Sequence, residues 1–313
     1  MSPKLLTDVY YTLNDGKKVP AFGLGTYNED ESQHHKITQA VITAIEEGVR
    51  HIDTAWYYET EPYIGKALKD VFDRGIVKRE DLFITTKVWP SMHDKVEKSL
   101  DRSLEQLGVD YVDLFLQHWP LCFESGPDGY PLTPVDDLGE IILAEKADYL
   151  DTYRQMEEIY HKTSKIKSLG VANFPVRKLK QLLKTCKVKP VNNQIECHPE
   201  FPQTELGDFC AENDIIVTAY SPLGGGGNGA PLIKNKRAAA LTEKYKDYNI
   251  NEILYSYHIQ SGRIVIPKSL NPKRIQSVKK LVPLTKEDIE FLESGPHKRY
   301  TDNPWYGHVG FGY

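Results

Sequence analysis

Short apolar runs and helical stripes alternate along this chain almost without interruption. Residues 9–23 alternate apolar and polar positions about Asn14-Asp15-Gly16. An Asp-Gly pair supplies the positive φ angles of a tight turn, so this stretch predicts a β-hairpin. Beyond it, residues 22–26, 51–54, 82–87, 112–118, 168–173, 193–196, 215–220 and 264–268 read as strands. Between them the apolar spacing becomes helical. Ile37, Val41, Ala44 and Ile45 form one stripe, and Ile64, Ala67, Leu68, Val71 and Phe72 form the next. Val96, Leu100, Leu104 and Leu107 form a third, which Gly108 closes as a helix C-cap. Leu179, Leu182, Leu183 and Cys186 continue the series. No low-complexity linker divides the chain, and one domain spanning residues 1–313 is expected.

Eight strands alternating with helices build either an open doubly wound sheet or a closed (β/α)8 TIM barrel. Two features favour the barrel. A dinucleotide-binding open sheet carries its glycine-rich turn in the first βα unit, and Gly23-Leu24-Gly25 lacks the third glycine. In addition, nearly every strand ends in a side chain that chemistry can use: Asp53, Lys87, His118, Asn173, Gln194 with Glu196, Tyr220 and Lys268. In a barrel these ends converge on one mouth, where barrel active sites sit. Gly224 to Gly229 matches GxGxxG letter for letter, but it lies too late for such a fingerprint and leads into Ala230-Pro231. It reads as a surface loop or a glycine-rich flap.

Composition narrows the partners. At 40% hydrophobic and 27% charged residues, disorder and fibrous repeats are excluded. A net charge of −5 offers no field for a polyanion, so nucleic acid is not expected. No apolar run approaches the roughly 20 residues that span a bilayer. Four cysteines without a CxxC pair or an apolar leader suggest free thiols in a reducing compartment, the cytoplasm. Adjacent His34-His35 and the pair Cys197-His198 make poor metal sites, and none is expected.

Four segments hold the chemistry: 51–58 (His51-Ile-Asp53-Thr-Ala-Trp-Tyr-Tyr58), 85–89 (Thr85-Thr-Lys87-Val-Trp89), 117–120 (Gln117-His118-Trp119-Pro120) and 193–199. Singly, each is ordinary. An Asp at a strand end is usually a cap, and a lone His there is usually structural. Together, running from Gly23-Leu-Gly25-Thr26 to Ile266-Pro-Lys268-Ser269, they resemble the aldo-keto reductases over nearly the whole chain. Within that family His118–Glu124 and Thr133–Asp137 are similar to fungal NADP-dependent D-arabinose dehydrogenases.

The resemblance implies a TIM barrel with an N-terminal β-hairpin cap, often monomeric, that uses NADPH/NADP+ on a small carbonyl or sugar substrate. It implies a catalytic tetrad of Asp53, Tyr58, Lys87 and His118. Hydride addition builds charge on a carbonyl oxygen, so a proton donor must wait there. Tyr58 takes that role, Lys87 is expected to lower its pKa, Asp53 holds Lys87, and His118 fixes the substrate oxygen. Cofactor contacts are expected from Gly25, Thr26, Asn173, Gln194, Tyr220, Ser221 and Leu223. Lys268, Ser269 and Arg274 are expected at the 2′-phosphate and adenine. Ala172 replaces a common Ser, and Ser277 and Val278 replace a common Glu and Asn. Tyr27, Trp89 and Trp119 are expected as aromatic substrate walls. Two other readings remain open: a nicotinamide-nucleotide sensor of the same fold, and a glycoside hydrolase barrel using Asp53 and Glu196. The tail Pro304-Trp305-Tyr306 with Phe311 and Tyr313 either folds over the mouth or packs outside.

Overall fold

The chain begins with the expected hairpin. Strands β1 (Tyr10–Thr12) and β2 (Lys18–Pro20) pair antiparallel, with Tyr10 opposite Pro20. Gly16 takes φ +85° in the turn, where an L side chain would be strained. The computed structural model describes residues 4–225 and 229–310. The GxGxxG stretch at residues 226–228, and Phe311 and Tyr313, therefore lie outside the described residues.

Eight further strands follow: β3 (Leu24–Gly25), β4 (His51–Asp53), β5 (Phe83–Val88), β6 (Val112–Gln117), β7 (Ile166–Ala172), β8 (Asn192–Glu196), β9 (Ile216–Tyr220) and β10 (Ile264–Val265). Each pairs in parallel with its neighbours in chain order. The first and last strands meet through Gly23 N–H to Val265 C=O at 2.9 Å and Gly25 N–H to Pro267 C=O at 2.9 Å. Isolated parallel bridges pair Phe22 with Val265 and Gly25 with Lys268, closing the cylinder. A Cβ on Gly25 would lie 2.9 Å from the Ile266 carbonyl oxygen, so this seam admits only glycine there. Pro267 has no N–H to give, and β10 stops short of the expected residue 268.

Helices α1 (His35–Glu46), α2 (Glu61–Asp73), α3 (Val96–Leu107), α4 (Tyr149–Lys162), α5 (Val176–Leu183), α6 (Thr204–Glu212), α7 (Lys236–Lys244) and α8 (Ile250–Gln260) cross between the strands. They are followed by α9 (Pro272–Gln276), α10 (Lys286–Glu293) and α11 (Tyr306–Val309). Gly108 caps α3 in the left-handed conformation, φ +67°. The stripes of α1 to α3 and α5 are buried against the outer faces of the strands.

Inside the barrel, alternate residues of each strand meet. Phe83, Leu114, Leu116, Val191, Ile264 and Ile266 form one buried cluster that includes Leu13 and Val19 of the hairpin. The hairpin therefore closes the N-terminal end of the barrel with apolar side chains. Asn14 ties it there, donating to the Pro190 carbonyl at 3.0 Å, and Ser168 donates to Asp15 at 2.7 Å. Toward the other end the filling becomes polar, beginning with His51, whose Nε2 lies 3.1 Å from Thr85 Oγ1.

Burial pushes His51 down to about 4, and His118 and His258 well below the usual histidine range. Unfolded histidines titrate near 6.5. Between about pH 7 and pH 5 the unfolded chain therefore takes up protons that the folded chain refuses, and stability falls on acidification. His51 alone accounts for about 2 kcal/mol by about pH 5. Glu61 and Asp113, raised by burial, act in the opposite sense. His258→Phe isolates the histidine contribution, because it removes two buried nitrogens that lack partners among the described residues. Urea midpoints at the two pH values should fall on acidification, and fall less in that variant.

Candidate active site

Strand direction brings the polar strand ends together. β4 ends in Asp53 and β5 carries Lys87 two residues before its ladder gives way to Trp89. Lys87 Nζ lies 2.7 Å from Asp53 Oδ1, with side chains 0% and 2% exposed. The ammonium also donates to the Thr54 carbonyl at 2.8 Å and to the Tyr58 hydroxyl at 3.2 Å. All three of its protons are placed. A single 3-10 turn, Trp56–Tyr58, delivers that tyrosine, and Glu59 ends it in the left-handed conformation. The other oxygen of Asp53 accepts from Gln194 Nε2 at 2.7 Å. His118 follows β6, with its ring 5.7 Å from that of Tyr58 and nearly perpendicular to it.

Electrostatics depart from expectation at one point. Burial holds the Tyr58 hydroxyl well above the usual tyrosine range, with the Asp53 carboxylate adding to the rise. The Lys87 ammonium, 3.2 Å away, does not reverse that rise. The ammonium is matched by Asp53, the pair is close to neutral, and desolvation of the phenolate is left uncompensated. Burial likewise draws Lys87 down while Asp53 draws it up. His118 is kept neutral by burial and by Lys87. Its Nδ1 is buried without a partner among the described residues. At neutral pH the cluster therefore offers one protonated phenol, one neutral imidazole and one internally balanced ion pair.

The ends of β7 and β9 adjoin this cluster. Asn173 sits at φ +60°, donates to the His118 carbonyl at 3.0 Å and accepts from the Tyr220 hydroxyl at 2.9 Å. Ser221 is also left-handed, at φ +49°, and such strain in a non-glycine residue is a common mark of functional loops. Leu223 is half-buried near Leu232. Lys268 donates to Asn28 at 3.1 Å, and Arg274 to the Ser269 hydroxyl at 3.3 Å.

Several expected contacts are used differently. Thr26 is buried and its hydroxyl donates to the Asp53 carbonyl at 2.9 Å. Gly25 serves the barrel seam. Gln194 grips Asp53. Of the aromatic walls, Tyr27 is exposed, 5.0 Å from the Tyr58 ring. Trp89 and Trp119 are only 1% and 4% exposed. Tyr57 stacks on Trp89 at 3.7 Å, and Trp305 covers both tryptophans at 5.6 Å. The tail thus folds over the mouth. Asn28 went unassigned from sequence although it directly follows Tyr27, while Trp305 takes the first of the two places open to the tail. The hydrolase reading fails on geometry: Asp53 is bound by Lys87 and Gln194, and Glu196 is bound by His198, Tyr300 and Thr301. A groove of about 910 Å³, lined in part by Cys122, Tyr149, Lys178 and His308, runs beside the mouth and does not include the cluster.

Residues 21–294 match the sequence pattern of the Aldo/keto reductase family. The chain belongs to that family. It is 39% identical over 289 residues to a glycerol 2-dehydrogenase (NADP(+)) of Saccharomyces cerevisiae, covering 90% of this chain and 89% of that one. It is 39% identical over 311 residues to a D-galacturonate reductase of Hypocrea jecorina, covering 96% and 97%. Among solved structures, an aldose reductase from Schistosoma japonicum superposes with a TM-score of 0.85 at 32% identity, covering 96% of this chain and 94% of that one. An aldo-keto reductase of Bombyx mori, solved with NADP, superposes at 0.82 with 35% identity, covering 94% and 95%. For an aldo/keto reductase, the balanced ion pair has a measurable signature. Lys87→Met leaves Asp53 buried and unmatched and should cost about 3–5 kcal/mol in denaturant unfolding. Adding Asp53→Asn should recover part of that loss.

Proposed function

We propose that this chain is an NADPH-dependent reductase of small aldehydes and ketones, with Tyr58 as proton donor. The observation that carries this reading is the Tyr58 hydroxyl held 3.2 Å from a buried ammonium in an aromatic-lined mouth. NADPH, when bound, supplies the hydride. Lys268 and Arg274 suit its 2′-phosphate, because among the described residues they donate to the neutral Asn28 and Ser269 and form no ion pair with a carboxylate. Asn173, Tyr220, Ser221 and Leu223, with the amide oxygen that Gln194 does not use in its bond to Asp53, would hold the nicotinamide and pyrophosphate. The NADP named for the yeast relative and the silkworm structure supports this choice.

The residues divide the work. Tyr58 donates its proton to the carbonyl oxygen as negative charge develops there. An alkoxide is far more basic than a phenolate, so a raised phenol pKa does not prevent the transfer. Once the proton has gone, the Lys87 ammonium lies next to the new phenolate and stabilises it. Neutral His118 offers an N–H to the same oxygen and sets its angle. Its depressed pKa leaves it neutral at neutral pH, a hydrogen-bond donor with no imidazolium proton to give. In the oxidation of an alcohol or an aldose, the Tyr58 oxygen takes the proton back. No observation favours the sensor reading.

Small polyhydroxy carbonyls fit the exposed Tyr27 beside Tyr57 and Tyr58, and the names of the fungal relatives point to the same class. Oxidation of D-arabinose with NADP+ is the finer expectation. The reading includes a single-domain, monomeric protein of the cytoplasm, in keeping with four free cysteines. Purified protein mixed with NADPH and a panel of aldehydes, ketones and hydroxyketones tests it, with cofactor oxidation as the signal. Turnover no greater than a cofactor-only blank overturns it.

Tyr58→Phe should lower carbonyl reduction by roughly 10²–10⁴-fold while NADPH affinity stays nearly constant. Retention of the wild-type rate would move the acid elsewhere. Arg274→Ala should weaken NADPH by roughly ten- to a hundredfold and NADH much less, as read from dissociation constants.

A further inference from the structure

Glu196 lies at the last position of β8, two residues beyond Gln194 and on the same side of the strand. Gln194 reaches into the cluster. Glu196, one step nearer the opening and 1% exposed, bonds almost entirely to a part of the chain about a hundred residues away. Its Oε1 accepts from the Tyr300 N–H at 2.7 Å and lies 3.0 Å from His198 Nε2. Its Oε2 accepts from the Thr301 N–H at 3.2 Å and from the Thr301 hydroxyl. These donors hold the carboxyl below its usual range despite burial, so it is charged at neutral pH. Glu200, nearby, adds to the same docking by accepting from the Tyr300 hydroxyl at 2.6 Å.

The contact continues in two directions. Thr301 Oγ1 lies 2.7 Å from the Tyr306 hydroxyl. Tyr306 packs on Trp119 at 5.5 Å, and its neighbour Trp305 packs on Trp89, Trp119 and Phe123. That is the roof over the substrate side. Thr301 and Tyr306 are also hydrogen-bonding neighbours of the Tyr220 hydroxyl, which donates to Asn173.

We propose that Glu196 is a positioning residue: its buried carboxylate latches residues 300–306 across the mouth, and that latch sets both the aromatic roof over the substrate and the hydroxyl end of Tyr220. The inference rests on the reductase reading of the site. It makes substrate selection depend on one strand-end carboxylate that touches neither substrate nor cofactor. A glutamine has the same shape, but it turns an NH2 group toward donors it cannot satisfy.

Two readouts separate the latch from a general contribution to folding. The first is amide hydrogen exchange. In Glu196→Gln, residues 300–309 should lose protection by roughly tenfold or more, the weight of a charge-assisted hydrogen bond, while the strands keep theirs. The second is steady-state kinetics with NADPH and carbonyls of graded bulk. KM should rise by about tenfold and the ranking by bulk should flatten, with kcat held within about twofold. Thr301→Val removes the partner from the other side of the contact and should reproduce both changes. It also serves if the first variant does not fold. The double variant should be little worse than either single one, because both remove the same interaction. Unchanged exchange at residues 300–309, uniform loss across the barrel, or additive effects would overturn the latch. Failure of wild-type turnover would overturn the reductase reading instead, and the exchange arm would still decide the latch.

Discussion

Placing an ammonium inside a barrel is expensive, and the way this chain does so organises everything around it. Lys87 is fully buried, and desolvation of such a charge costs several kcal/mol before any partner is counted. Its three protons go to a carboxylate, a carbonyl and a phenol. The carboxylate is held in turn by Gln194 and the carbonyl comes from the residue after Asp53, so three adjacent elements are fixed by one nitrogen. The polar filling of the barrel's upper half follows from this need. The lower half has no such demand and is filled by the hairpin's leucine and valine and the apolar strand residues.

The same pairing decides the proton inventory. A lone ammonium beside a phenol would favour phenolate. A matched ion pair does so far less, and burial keeps the phenol protonated at neutral pH. On the proposed reading, preorganisation would consist of a cation fixed 3.2 Å from the phenol oxygen, whose hydrogen bond strengthens as that oxygen gives up its proton. His118 remains neutral, so on the proposed reading two hydrogen-bond donors would face the substrate oxygen without two positive charges competing for the space.

Much of this could be read along the chain. The eight strands show because each is a short apolar run ending in a polar residue, and Gly108 marks the end of α3 because the helical stripe stops there. Asp53, Tyr58, Lys87 and His118 stand out because each sits at or just beyond a strand end. The direction of the Tyr58 shift was not legible, since it depends first on how deeply the phenol is buried and then on its distance from Asp53. Gln194 resembles a ligand-binding amide in sequence, yet its partner Asp53 lies 141 residues away. Glu196 looked like half of a carboxylate pair. Only the fold shows that its partners belong to the tail, and that the tail's tryptophan covers two others.

The seam of the barrel has a consequence for how the chain reaches this state. Its closing strands are two residues long and come from opposite ends of the sequence, held by a few backbone hydrogen bonds. Contacts at that separation are the most costly in chain entropy to form. During synthesis the first seven staves leave the ribosome before their closing partner exists. That last stave runs into Lys268, so the cylinder and the cationic end of its mouth are completed by the same late event.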